Sequence, residues 1–72
     1  MPALELLSVV ALLRDNASHG LVRGQTGTVV ERTDEGTVEI EFSDDEGRTF
    51  ALLAVPAYQL LPLHYQQETS TA

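Results

Sequence analysis

The chain has 72 residues and no cysteine, so it forms at most one small domain that neither a disulfide nor a thiolate metal site can reinforce. Four arginines, with no lysine, stand against eleven acidic residues and give a formal net charge of −7. Because binding to phosphate backbones needs clustered cations, this composition argues against nucleic acid as a partner. Neither a secretion signal nor an apolar stretch of membrane-spanning length is present, so we expect a cytoplasmic protein with no membrane partner.

Short runs of β-branched and apolar residues alternate with turn signals along the chain. The first predicted strand covers residues 7–13 and the second covers residues 28–33, with a glycine-rich loop between them. A helix over residues 4–13 is an alternative, because Leu and Ala favour helices. The adjacent β-branched residues Val9 and Val10, and the lack of a polar face in this run, argue for the strand.

The third predicted strand is the clearest. Val38, Ile40 and Phe42 alternate with polar residues, which puts apolar side chains on one face and acidic side chains on the other. Turns flank this strand on both sides. Gly36 in the first turn is placed to take the positive φ that a tight hairpin needs.

A fourth strand is predicted over residues 48–54, and Pro56 should end it because proline has no amide hydrogen. A short last strand follows over residues 58–63. We therefore predict an all-β domain over residues 1–65, a small SH3-like barrel of about five strands. A polar, disordered tail is expected over residues 66–72.

The order of these residues has a counterpart in a known family. The matching elements are Val9-Val10-Ala11-Leu12, Gly20-Leu21, Gly24, Gly27-Thr28-Val29-Val30, Val38-Glu39-Ile40-Glu41-Phe42 and Gln59-Leu60. Over about residues 4–63 the chain resembles a family of small stand-alone bacterial proteins of unknown function that are expected to be SH3-like barrels. The resemblance implies the fold and brings no activity, cofactor or catalytic residue with it. Gly24 and Gly27 are expected to let the backbone turn into the second strand.

Acidic residues gather around the predicted third strand and its two turns. They are Asp34, Glu35, Glu39, Glu41, Asp44, Asp45 and Glu46. Such a patch can steer a basic partner, or it can serve only to keep a small domain soluble. The adjacent carboxylates at 44–46 lack the ligand spacing of a calcium loop, so we predict no metal site.

The sequence shows no catalytic constellation. The glycine loop is followed by a strand, whereas a phosphate-binding loop is followed by a helix and often carries a lysine. His19 and His64 have no recognisable Ser or Cys nucleophile spaced beside them. We therefore predict no enzyme, no cofactor and no small-molecule substrate.

The chain carries more apolar residues than one face of each strand can bury. Residues 4–13 and 51–55 are apolar at consecutive positions, where a half-buried strand alternates. The excess predicts an exposed hydrophobic interface on the first, fourth and last strands. Its predicted members are Leu6, Leu13, Leu52, Leu53, Leu61 and Leu63. The alternative is that the C-terminal tail folds back and covers them.

These features favour a non-catalytic protein-interaction module. Its partner is expected to be a larger protein, for which this chain is an acidic accessory or neutralising factor, or a second copy in a homo-oligomer. A nucleic-acid-binding barrel of the translation-factor type is the alternative. Binding to heparin or RNA at low salt distinguishes the two, because an acidic interaction module should show none.

Overall fold

The computed structural model describes residues 4–63, so the predicted tail and His64 lie outside the described residues. Its strands are β1 (Val9–Leu12), β2 (Thr26–Asp34), β3 (Thr37–Ser43), β4 (Thr49–Pro56) and β5 (Leu60–Pro62). Single-turn 3₁₀ helices at Ala17–His19 and Ala57–Gln59 precede β2 and β5. All five strands join one antiparallel sheet, which confirms the predicted all-β class.

Local sequence sets the limits of the strands. The alternative helix over residues 4–13 is wrong, because a turn at Leu6 and Leu7 leads directly into β1. Gly36, in the turn between β2 and β3, has a φ of 85°, a conformation that glycine adopts without steric cost. Pro56 is the last residue of β4, and a 3₁₀ turn then redirects the chain into β5.

The strand order in the sheet is β4-β3-β2-β1-β5. The first four strands follow one another as a meander, and β5 returns to pair with the other side of β1. Register shifts between Val29 and Glu31 and between Arg32 and Asp34 interrupt the β2–β3 ladder, and such bulges increase bending and twist. Within residues 4–63, β4 and β5 each have a hydrogen-bonded neighbour on one side only.

One face of the sheet carries the hydrophobic core. Its buried members are Val10, Leu12, Leu21, Val29, Val38, Ile40, Phe42, Val55 and Leu60. The alternation predicted for β3 is confirmed, because its three apolar side chains are buried and Glu39 and Glu41 are only half-buried. Burial of each large apolar side chain stabilises the fold by about 1.5–3 kcal/mol.

None of the helices in residues 4–63 is both long enough and apolar enough to cross a membrane.

Candidate protein-binding edge

Strand β4 lies at one end of the sheet, with β3 on one side of it. A hydrogen bond just beyond the strand shows which residues of β4 bond to β3. In it the N–H of Ala57 donates to the carbonyl oxygen of Gly36 at 2.7 Å. In an antiparallel ladder, hydrogen-bonded pairs recur at every second residue. Counting back through the register, Val55, Leu53 and Ala51 direct their N–H and C=O groups toward β3.

The other positions of β4 direct their peptide groups to the open side of the strand. Leu52 and Ala54 offer both N–H and C=O groups there, and Pro56 offers only its carbonyl. A register shift between Phe42 and Ser43 interrupts the ladder at Phe50, so the alternation does not extend to that residue. Within residues 4–63, no strand pairs with β4 on that side. A row of unpaired peptide groups of this kind is a template on which another strand can pair.

The outer face of β4, on the side of the sheet away from the core, is apolar at Leu52 and Ala54. Phe50 is 48% exposed, Leu52 is 54% exposed, and Ala54 is also exposed. The segment 49–63 contains no Asp, Glu, Lys, Arg or His. Natural edge strands are commonly protected by charged side chains, so β4 lacks a usual defence against strand pairing.

Carboxylates lie one strand in from this edge, on the same outer face of the sheet. Glu41 lies opposite Leu52, and Glu39 lies opposite Ala54. On its other side, Glu39 lies opposite Glu31 of β2. Like charges directly opposite one another are unfavourable in a sheet, so this surface favours a partner that brings positive charge.

The carboxylates in the turns have a different environment. In the β3–β4 turn, Arg48 Nε donates to Asp44 Oδ2 at 3.1 Å, and the same guanidinium contacts Glu46. Asp44 Oδ1 accepts the backbone N–H groups of Arg48 and Glu46, each at 2.9 Å. The hydrogen bond from the Arg48 N–H is the largest of the contributions that lower the pKa of Asp44.

The structure therefore divides the predicted acidic patch between the outer face of β3 and the two turns. Asp34 and Glu35 lie at the β2–β3 turn, and Asp45 lies with the ion-paired turn residues. Both ion pairs found in residues 4–63 involve Arg48. The carboxylates of the central outer face, Glu39 and Glu41, consequently have no cationic partner within the described part of the chain.

The structure also divides the predicted hydrophobic interface. Leu52 is exposed on β4, whereas Leu53 is half-buried and packs against the core. Leu61 pairs with Ala11 on the β1–β5 side, at the other end of the sheet order, and is 49% exposed. Leu13, which is 44% exposed, is held beside β5 by the hydrogen bond from its N–H to the carbonyl of Gln59.

The remaining members of the predicted interface lie beside β1. Leu6 is 57% exposed in the turn before β1, whereas Leu63 is half-buried and donates its N–H to the carbonyl oxygen of Val9. Sequence reasoning missed Phe50 as a surface residue. No local signal could have found it, because a register shift beside Phe50 breaks the alternation of side chains along β4.

His19 takes part in a small hydrogen-bonded cluster at the surface. Ser18 Oγ donates to Asn16 Oδ1 at 3.0 Å, and His19 Nδ1 lies 3.1 Å from both of these oxygens. Ser18 and His19 are exposed on a single 3₁₀ turn, so the hydrogen bonds stabilise this turn at the surface. Within residues 4–63, no three His, Asp or Glu side chains are placed to hold a metal ion.

Comparison with known proteins identifies a family without assigning an activity. The model of a family described as a domain of unknown function (DUF4926) matches residues 6–62. The match begins just before β1 and ends with β5, so it covers the whole described sheet. No curated protein and no solved structure matches the chain.

Proposed function

The chain belongs to the DUF4926 family, a domain family of unknown function, and we propose that it is a non-catalytic protein-interaction module. In this proposal the curved sheet is that of an SH3-like barrel, and the protein is an acidic accessory or neutralising partner of a larger protein. The observation that carries the proposal is the uncharged edge of β4, with its apolar outer face and outward-directed peptide groups.

A strand that pairs with β4 satisfies these peptide groups and covers part of the Leu52 side chain at the same time. Backbone hydrogen bonds provide affinity in this mode of recognition, and the alternate side chains provide specificity. Burial of apolar surface supplies roughly 25 cal/mol per Å² removed from water. The edge therefore offers both of the contributions on which strand addition depends.

Affinity capture with a matched pair of variants tests this function. The full-length tagged protein, Leu52→Glu and Val22→Glu are used as baits in an extract of the source cells. Leu52 and Val22 are similarly exposed, at 54% and 58%, but Val22 lies in the loop before β2. We expect a protein that the wild type and Val22→Glu retain and that Leu52→Glu loses.

Two results would contradict the proposal. One is capture of the same proteins by all three baits, because the β4 edge would then play no part. The other is retention on heparin or RNA at low salt, which would favour the nucleic-acid-binding role.

A further inference from the structure

We propose that the partner adds an extended strand to the open side of β4, and that this strand carries lysine or arginine on its outer face. The inference rests on the proposed function and defines the chemistry of the partner. It follows from the position of the unpartnered carboxylates relative to the open edge.

The outer face is organised in cross-strand rows. One row runs from Glu31 through Glu39 to Ala54, and the next runs through Glu41 to Leu52. An added strand extends each row by one residue. Neighbouring strands are about 4.8 Å apart, so a residue opposite Ala54 starts about 10 Å from the backbone of Glu39.

A long cationic side chain can cross that distance. Ala54 presents only a methyl group between the added strand and Glu39, so a lysine or arginine stem can lie across it. Its charged end then meets the carboxylate of Glu39. The contact also relieves the repulsion between Glu39 and Glu31, which lie directly opposite one another.

Charge also distinguishes this partner from two other possible occupants of the edge. A second copy would bring its own β4, which is uncharged, together with another formal charge of −7. The C-terminal segment 64–72 has one glutamate and neither lysine nor arginine. The arginine next to β4 in a second copy, Arg48, is already paired with Asp44 and Glu46, and segment 64–72 has none, whereas a basic strand brings cations that are free to pair with the outer face of β3.

A short peptide probes the proposed contact. The probe is acetyl-Val-Arg-Val-Arg-Val-Arg-Val-amide, whose arginines share one face when it is extended. In the first control glutamates replace the arginines. In the second control the backbone nitrogen of each arginine is methylated. This keeps the charge and removes the N–H groups that would face β4. Affinity is measured by titration in low and high salt, and hydrogen exchange of each backbone amide is followed by NMR.

We expect the arginine peptide to bind with an affinity that falls as salt rises, and neither control to bind comparably. Exchange of the Leu52 and Ala54 amides should slow in the complex, because these groups point to the open side. Glu39→Gln should weaken binding about two- to five-fold, as for a solvent-accessible ion pair, and reduce its salt dependence. Glu35→Gln, in the β2–β3 turn, should leave the affinity unchanged.

The inference is overturned if the arginine peptide does not bind, or if either control binds equally well. Slow exchange at Leu52 and Ala54 in the peptide-free protein, together with a doubled mass, would show that a second copy occupies the edge. That outcome rejects the basic strand and leaves the interaction function intact. If the protein is a monomer, and deletion of residues 64–72 abolishes slow exchange at these two amides, both the basic strand and the interaction function are rejected.

Discussion

Gly27 of β2 and Ile40 of β3 approach so closely that a Cβ on Gly27 would lie 2.5 Å from Ile40 Cγ2. The ring of Phe42 would lie 2.9 Å from the same Cβ. Gly27 is buried within β2 and pairs with Val10, and it does not have a positive φ. The expectation that it serves as a turn residue is therefore wrong. It is needed because two core side chains occupy the space that its own side chain would fill.

Replacement of Gly27 by alanine is expected to destabilise the fold by about 1–3 kcal/mol, as overpacking of a core does. The free energy of unfolding, measured by urea denaturation, checks this. Ile40→Ala and the double variant complete the cycle, and the two losses should be less than additive because Ile40→Ala removes Cγ2. Unchanged stability of Gly27→Ala would show that Ile40 and Phe42 can move aside to accommodate a Cβ.

Leu7 combines two unfavourable features, an exposed side chain and a left-handed backbone. Its φ is 68°, the only positive value at a non-glycine residue within 4–63, and its side chain is 74% exposed. For an L-residue this conformation costs roughly 1–2 kcal/mol. Leu7→Gly removes the strain and loses little packing, but it increases the entropy of the unfolded chain. We expect a net stabilisation of up to about 1 kcal/mol by thermal denaturation.

Leu6→Gly is the matched control for this prediction. Leu6 is also exposed, and its φ is not positive, so glycine brings only the entropic cost. Leu6→Gly should therefore lower the midpoint of thermal unfolding whereas Leu7→Gly raises it. A decrease of similar size in both variants would show that the backbone of Leu7 is not strained.

Most of the sheet could be predicted from sequence because its strongest signals are local. The alternation of Val38, Ile40 and Phe42 depends only on the two-residue period of a strand. The glycine in the β2–β3 turn could likewise be assigned from the need for a positive φ. In β4 the sequence predicted apolar residues on both faces, and Leu52 and Leu53 do lie on opposite faces.

The candidate site was harder to predict because it depends on which strands are neighbours. No local pattern in residues 49–56 shows that β4 has β3 on one side and no strand on the other. The phase of the ladder, which decides that Leu52 rather than Leu53 offers its peptide group, is a property of pairing. The opposition of Glu31 and Glu39 depends further on the bulge after Val29, which shifts the register.

Asp44 is expected to make the stability of the β3–β4 turn depend on pH. Its pKa in the folded protein lies below the ordinary value of 3.8, chiefly because it accepts the N–H of Arg48. Ionised Asp44 therefore stabilises the fold at neutral pH, and this contribution is lost as the pH falls through the folded-state pKa. Asp44→Asn should lower the midpoint of thermal unfolding at pH 7, and its difference from the wild type should shrink below pH 3.8.

Asp45→Asn is the control for this pH dependence. Asp45 lies in the same turn and, within residues 4–63, makes none of the hydrogen bonds found at Asp44. Its replacement should change the midpoint little at any pH. If both variants lose stability equally at pH 7, net charge in the turn matters rather than the hydrogen bonds of Asp44.

Proline substitutions at adjacent positions of β4 test the edge directly. The N–H of Leu53 is directed to β3, so Leu53→Pro removes a ladder hydrogen bond and leaves a carbonyl of Ile40 unpaired. We expect a loss of about 2 kcal/mol or more beyond that of Leu53→Ala. The N–H of Leu52 is directed away from the sheet, so Leu52→Pro should cost less than about 1 kcal/mol beyond Leu52→Ala. Urea denaturation measures the free energy of unfolding of all four variants. Equal losses for the two proline variants would mean that β4 is not an open edge. Only a strand that is paired on both sides loses a ladder hydrogen bond at either position.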